Sequence, residues 1–149
     1  KTESLEITVI PLSGDGTLSL TVSWPSGVLS SPSIEASLTP TTGGSAQSLS
    51  FTIADNSASY SSDFIAGYYT LSLCLKDGGL VVGGKTDSVR IIAGQTTTGS
   101  YIFLNETYDA NHAKSGSVPV DNNAYLQGAT VTVLANTGNL TKNGCTFAG

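Results

Sequence analysis

The chain has 149 residues, only 11% of them charged, and a net charge of −5 at pH 7, which fits one main hydrophobic core with room for a small appendage. Its six Lys and Arg residues, Lys76, Lys85 and Arg90 among them, form no stripe. The clustered cations that displace counterions from a nucleic-acid backbone, or that hold an anionic membrane surface, are therefore missing, which excludes nucleic acid as a partner.

No apolar run approaches the roughly 20 residues needed to cross a bilayer, so no membrane span is expected. Lys1 opens the chain without a hydrophobic signal region, which reads as a leader removed or a fragment of a longer protein. Period-two alternation starts at once in Leu5-Glu6-Ile7-Thr8-Val9-Ile10 and returns in Leu18-Ser19-Leu20-Thr21-Val22-Ser23-Trp24. Each run reads as a strand with one buried face. The turn Ser13-Gly14-Asp15-Gly16 between them predicts a hairpin. Trp24, just before Pro25, is expected to seal one end of the core.

Further alternating runs follow at Ile34–Leu38, Leu49–Ile53 and Ser57–Tyr60, then at Phe64–Gly67 and, most regularly, at Tyr69–Leu75. In the last of these Tyr69, Leu71, Leu73 and Leu75 share a face, which puts Cys74 on the opposite one. Asp77-Gly78-Gly79 predicts a turn before Leu80–Val82, and Gly83-Gly84 another before Ser88–Ile92. Ser100–Leu104 closes the series. Eight or nine short strands in the first 104 residues, with no amphipathic stretch of helical period, predict an antiparallel β-sandwich of immunoglobulin-like type.

From Asn105 the texture changes, because Glu106 to Asn123 is polar, contains Pro119 and hardly alternates. A domain boundary is expected there, dividing the chain into 1–104 and 105–149. Beyond it the strand expected is Ala129–Leu134, introduced by Gly128.

Four pieces of this C-terminal part come in a telling order. They are Tyr108-Asp109-Ala110-Asn111, Gly116-Ser117-Val118-Pro119-Val120-Asp121, Gly128 to Val133, and Gly138 to Gly149 with its Lys142-Asn143-Gly144-Cys145-Thr146-Phe147-Ala148-Gly149 ending. The segment resembles the Listeria-Bacteroides repeat, also called the internalin B-repeat. That family has Tyr where Cys145 stands, commonly Gly where His112 stands, and a Trp after the position of Gly149, so a truncated repeat is expected. The resemblance implies a small β-grasp-like unit of bacterial surface and secreted proteins, without catalytic residues. Ala58-Ser59-Tyr60 through Ala66-Gly67-Tyr68-Tyr69-Thr70-Leu71 is similar to the strand openings of immunoglobulin-like and carboxypeptidase-regulatory-like sandwiches.

No catalytic set is legible. The single histidine, His112, lies in a polar loop and cannot serve as the base of a serine triad, whose Gly-x-Ser-x-Gly elbow is also lacking. One His and two remote Cys do not make a zinc site, and Cys74, in an alternating strand, and Cys145, in the terminal appendage, are expected as unpaired thiols, with a disulfide between them the alternative. Gly14-Asp15-Gly16 and Asp121-Asn122-Asn123 offer oxygen ligands for calcium, but neither follows an EF-hand spacing and turn formation explains both. The glycine pairs lack the context of phosphate loops. Asn105-Glu106-Thr107 and Asn139-Leu140-Thr141 match the N-glycosylation pattern, which in a bacterial chain is a chance match.

The sequence thus predicts no enzyme, no cofactor, no metal site and no catalytic residue. It predicts a structural or adhesive module, secreted or held at the bacterial cell surface or envelope, whose partner is a protein, a glycan or a further copy of itself. Two other readings stand beside this one. Tyr60, Tyr68 and Tyr69 could form a sugar-stacking platform, although neighbours in a strand point their rings to opposite faces. Many strands and low charge also suit self-assembly into a filament or surface layer through strand addition.

Overall fold

The computed structural model describes residues 13–145. It is all-β, with two sheets packed face to face. In chain order the strands are β1 (Asp15–Ser23), β2 (Pro32–Pro40), β3 (Gln47–Leu49), β4 (Thr52–Ala54), β5 (Ser57–Ile65), β6 (Gly67–Asp77), β7 (Leu80–Ile91), β8 (Thr96–Asn105) and β9 (Ala124–Leu126). One sheet has the order β4-β5-β1-β8-β9 and the other β3-β2-β6-β7. Every pairing is antiparallel except that of β1 with β8.

The alternation sets the inner faces. Leu18, Leu20 and Val22 of β1 meet Leu71, Leu73 and Leu75 of β6 across the sandwich, and none of the six is more than 2% exposed. Burying a side chain of this size contributes about 1.5–3 kcal/mol, so these positions dominate the stability of the fold. Trp24 is buried at the end of β1, as its place before Pro25 led one to expect.

Several details differ from the sequence reading. The run 5–10 lies outside the described residues. β1 is flanked by β5 on one side and by β8 on the other, and the hairpin read from the Ser13–Gly16 turn has its first strand in that same run outside the described residues. The run Leu49–Ile53 is two short strands in different sheets, with β3 beside β2 and β4 beside β5. Alternation reports which face is buried, not which sheet owns the strand, and the chain turns the sandwich corner at Ser50-Phe51.

Ser57–Tyr60 and Phe64 belong to one continuous strand, β5. Leu80–Val82 and Ser88–Ile91 are likewise joined in β7, so Gly83-Gly84 is not a turn. The pairing of β6 with β7 slips between Leu75 and Lys76, opposite this stretch. Gly83 is required for another reason, since a Cβ there would lie 2.4 Å from the Ala124 carbonyl oxygen and 2.7 Å from the Phe103 ring.

Ala129–Leu134 forms no ladder. A period-two run becomes a strand only where an unpaired edge receives it, and β9 takes that place instead, pairing with Phe103–Asn105 at the end of β8. Ala124 of β9 joins the core. Elsewhere in 106–145 the regular pairing consists of the isolated bridges Ser115 with Thr141 and Lys142 with Cys145.

Candidate functional site

The residues singled out by sequence do not converge. Tyr60 and Tyr69 belong to a chain of aromatic contacts inside the sandwich. Phe51 and Tyr60 have ring centroids 5.5 Å apart, Tyr60 and Phe64 6.4 Å, and Phe64 and Tyr69 6.1 Å. Tyr69 is buried and its hydroxyl donates to the Ile65 carbonyl at 2.7 Å. Tyr68 points the other way, half exposed, with the Arg90 guanidinium 5.5 Å from its ring centroid. The three tyrosines therefore form no common platform, because the period of a strand separates Tyr68 from Tyr69.

His112 sits at positive φ in an exposed loop beside Asn111. Cys74 is half-buried on the outer face of β6, Cys145 is exposed, and both are free thiols. Asp15 opens β1, and its carbonyl accepts from Gly94 at 2.8 Å.

Asp121 is fully engaged within its own loop. One carboxylate oxygen accepts from the Asn123 backbone N–H at 2.9 Å and side-chain amide at 2.8 Å, and the other accepts from the Tyr125 hydroxyl at 2.7 Å. The Asn123 N–H foremost, then the tyrosine hydroxyl, hold this carboxyl below its ordinary range, and the same contact raises Tyr125. The cluster closes the loop that leads into β9. Asp77 plays a similar part at the end of β6 in the other sheet, accepting from the backbone N–H of Ser31 at 2.6 Å and of Ser30 at 3.0 Å, with the Ser31 contact foremost in lowering its pKa.

One site breaks the pattern of the sandwich. In β7, Asp87 stands opposite Leu71 and Lys85 opposite Leu73. Cross-strand partners project from the same face of a sheet, so both charges lie on the inner face, where Val89 and Ile91 further along β7 are apolar and buried.

Facing them from the other sheet is Tyr101 of β8. Two residues before it, Gly99 lets its neighbours close in, since a Cβ there would lie 2.8 Å from the Leu20 side chain and 3.4 Å from the Tyr101 ring. The ring lies back over this glycine, and the hydroxyl donates to Asp87 over a long 3.4 Å. Burial first, and then the Asp87 charge, push the Tyr101 hydroxyl up to about 12, so it remains a proton donor at neutral pH.

Two clefts open on either side of Tyr101. One, of 220 Å³, is floored by Leu18, Leu20 and Val89 and walled by Asp87 and Gly99. The second, of 480 Å³, is lined by Lys85, Ile102, Leu126 and Gln127. Hydrogen bonds to backbone carbonyls hold residues that line each cleft. Thr97 donates its hydroxyl to the Arg90 carbonyl at 2.9 Å, and Gln127 donates its N–H to the Ile102 carbonyl at 2.8 Å. Sequence reasoning passed over this site because it read Ser88–Ile92 as a separate strand and so never placed Lys85 and Asp87 on a face. The signal available was the Lys-x-Asp-x-Val-x-Ile alternation across 85–91, in which two charges occupy positions in phase with two core residues.

No known family model matches this chain, and no curated protein is similar to it in sequence. Among solved structures it is similar to a leucine-rich repeat protein from Bacteroides thetaiotaomicron, at 12% identity and a TM-score of 0.38 over 58% of this chain and 13% of that one. It is also similar to a candidate cell adhesion protein from Bacteroides fragilis, at 14% identity and a TM-score of 0.46 over 80% of this chain and 47% of the other. The chain thus spans less than half the length of either protein.

Proposed function

We propose that the chain is a non-catalytic structural or adhesive module of a secreted or surface-held bacterial protein. The observation that carries this reading is the chemistry of the two outer faces. On one sheet the strand register aligns Ser61, Ser19 and Thr98 in one row and Ser59, Thr21 and Ser100 in the next. On the other it aligns Ser48, Ser37, Ser72 and Thr86, with Thr39, Thr70 and Ser88 beside them. Rows of short hydroxyl side chains keep a rigid sheet wetted with little charge and few flexible groups. Such faces suit a spacer or binding module.

The resemblance of 108–149 to the Listeria-Bacteroides repeat supports the same reading, and with it the surface location and the division of the chain near Asn105. Self-assembly by strand addition is less well supported. Lys85 and Asp87 project inward from β7, the last strand of its sheet among the described residues, and inward charges on an edge oppose pairing with a second edge.

The test is capture by the purified chain of host matrix proteins, bacterial cell wall or further copies of itself. Saturable binding to one of these classes, without turnover of any substrate, is expected. Sustained turnover that survives repurification would overturn the reading.

A further inference from the structure

We propose that the paired clefts around Tyr101 form a binding site for a neutral oligosaccharide. This inference rests on the reading of the chain as a non-catalytic binding module and gives that reading a place and a ligand class. It starts from a violated pattern. Positions that face the interior of a sandwich are filled by apolar side chains, as Leu71, Leu73, Val89 and Ile91 are here. Lys85 and Asp87 hold such positions with charges that stay exposed to solvent, and in the facing sheet the Tyr101 ring closes over Gly99. Local rules are broken in this way where function competes with packing. The result is an opening between the sheets with an apolar floor, which a fully packed sandwich would not have.

The groups that line this opening match the surface of a sugar. A pyranose presents hydroxyls around its edge and a C–H face that packs against an aromatic ring. Tyr101 supplies a half-buried ring between the two clefts. Asp87 accepts from sugar hydroxyls, Lys85 donates to them, and Gln127 can do both. Leu126 and Ile102 offer apolar ground beside the ring.

The charges themselves favour a neutral ligand. Asp87 and Lys85 alternate along one strand, so a strongly anionic or cationic ligand would meet repulsion from one of the two. A hydroxylated neutral chain meets a donor and an acceptor. The clefts of 220 and 480 Å³ lie on either side of one ring, which suits two successive sugar units better than a single compact molecule. The raised pKa of Tyr101 is consistent with this, since its hydroxyl keeps its proton and orients Asp87.

The experiment uses the full chain on a printed array of neutral oligosaccharides, including glucose, mannose and N-acetylglucosamine oligomers, with calorimetric titration of any hit. Wild type is expected to bind at least one of them saturably. Asp87→Asn, which keeps side-chain length, and Lys85→Gln, which keeps a polar amide one atom shorter, should each weaken that binding about tenfold, the loss of one charge-assisted hydrogen bond. Ser61→Ala on the outer face should leave it unchanged, and all three variants should melt with the wild type. A blank array, or binding equal in Asp87→Asn, Lys85→Gln and wild type, overturns the site. Either result leaves the module reading standing if the chain still captures a protein or cell-wall partner, whereas turnover of a bound glycan would sink that reading instead.

Discussion

The sandwich and the segment that follows Asn105 are held together by different physics. In the sandwich, alternating side chains bury one face of each long strand, and most of the stabilising area is apolar. From 106 to 145 the contacts are largely polar. The Leu134 N–H donates to the Tyr108 hydroxyl at 2.8 Å, and Asn136 closes a loop on Leu140 from both its amide oxygen and its amide nitrogen. β9 is the seam, because Ala124 joins the core and Leu126 packs against it. The comparison teaches that a segment can be ordered by hydrogen bonds yet depend for its position on a short apolar anchor.

The largest expected effect comes from removing the side chain that serves both regions. Phe103 is fully buried and lies against Gly83 beside β9. Phe103→Ala is expected to cost about 3–5 kcal/mol in urea unfolding and to release β9. Loss of β9 without loss of global stability would break the comparison.

Next is Gly83→Ala, whose Cβ would press on the Ala124 carbonyl and the Phe103 ring. A cost of about 1–3 kcal/mol is expected, with amide protection lost in Ala124–Leu126 before it is lost in β6. Uniform loss across both sheets would show that the seam is not the weak point.

A smaller effect concerns Tyr101. Its folded pKa of about 12 lies above the ordinary 10.0, so the neutral form is favoured by folding. The stabilisation is complete below pH 10 and is lost as pH rises from 10 towards 12. After discounting for its partial exposure, roughly 1 kcal/mol should disappear over that range. Tyr101→Phe should flatten this part of a melting-temperature profile, and an unchanged alkaline slope would contradict the cause given.

Smallest is Tyr108→Phe, which removes the acceptor for the Leu134 N–H. It should cost about 1 kcal/mol, confined to faster amide exchange around Leu134, with the sandwich melting as before.

Much of the sandwich could be read in advance, since Leu18, Leu20 and Val22 announce a buried face by spacing alone, and so do Leu71, Leu73 and Leu75. What could not be read was ownership and continuity. Nothing local distinguishes Leu49, which packs beside β2, from Ile53, which sits beside β5. Gly83-Gly84 carries the chemistry of a turn, and only the approach of Ala124 and Phe103 from distant sequence explains why the glycine lies inside a strand. Ala129–Leu134 alternates well but meets no edge, while the less regular Ala124–Leu126 does. The candidate site was hidden for the same reason, because Lys85 and Asp87 mean little until β7 is one strand and Tyr101 faces it from β8.

The most direct measurement of the difference between the two regions is native-state hydrogen exchange across residues 13–145. Amides of β1, β5, β6 and β8 are expected to share the highest opening free energies, those of Ala124–Leu126 to be intermediate, and those flanking β9 to open locally at far lower cost. Protection in 127–145 equal to that of β6 would contradict the account.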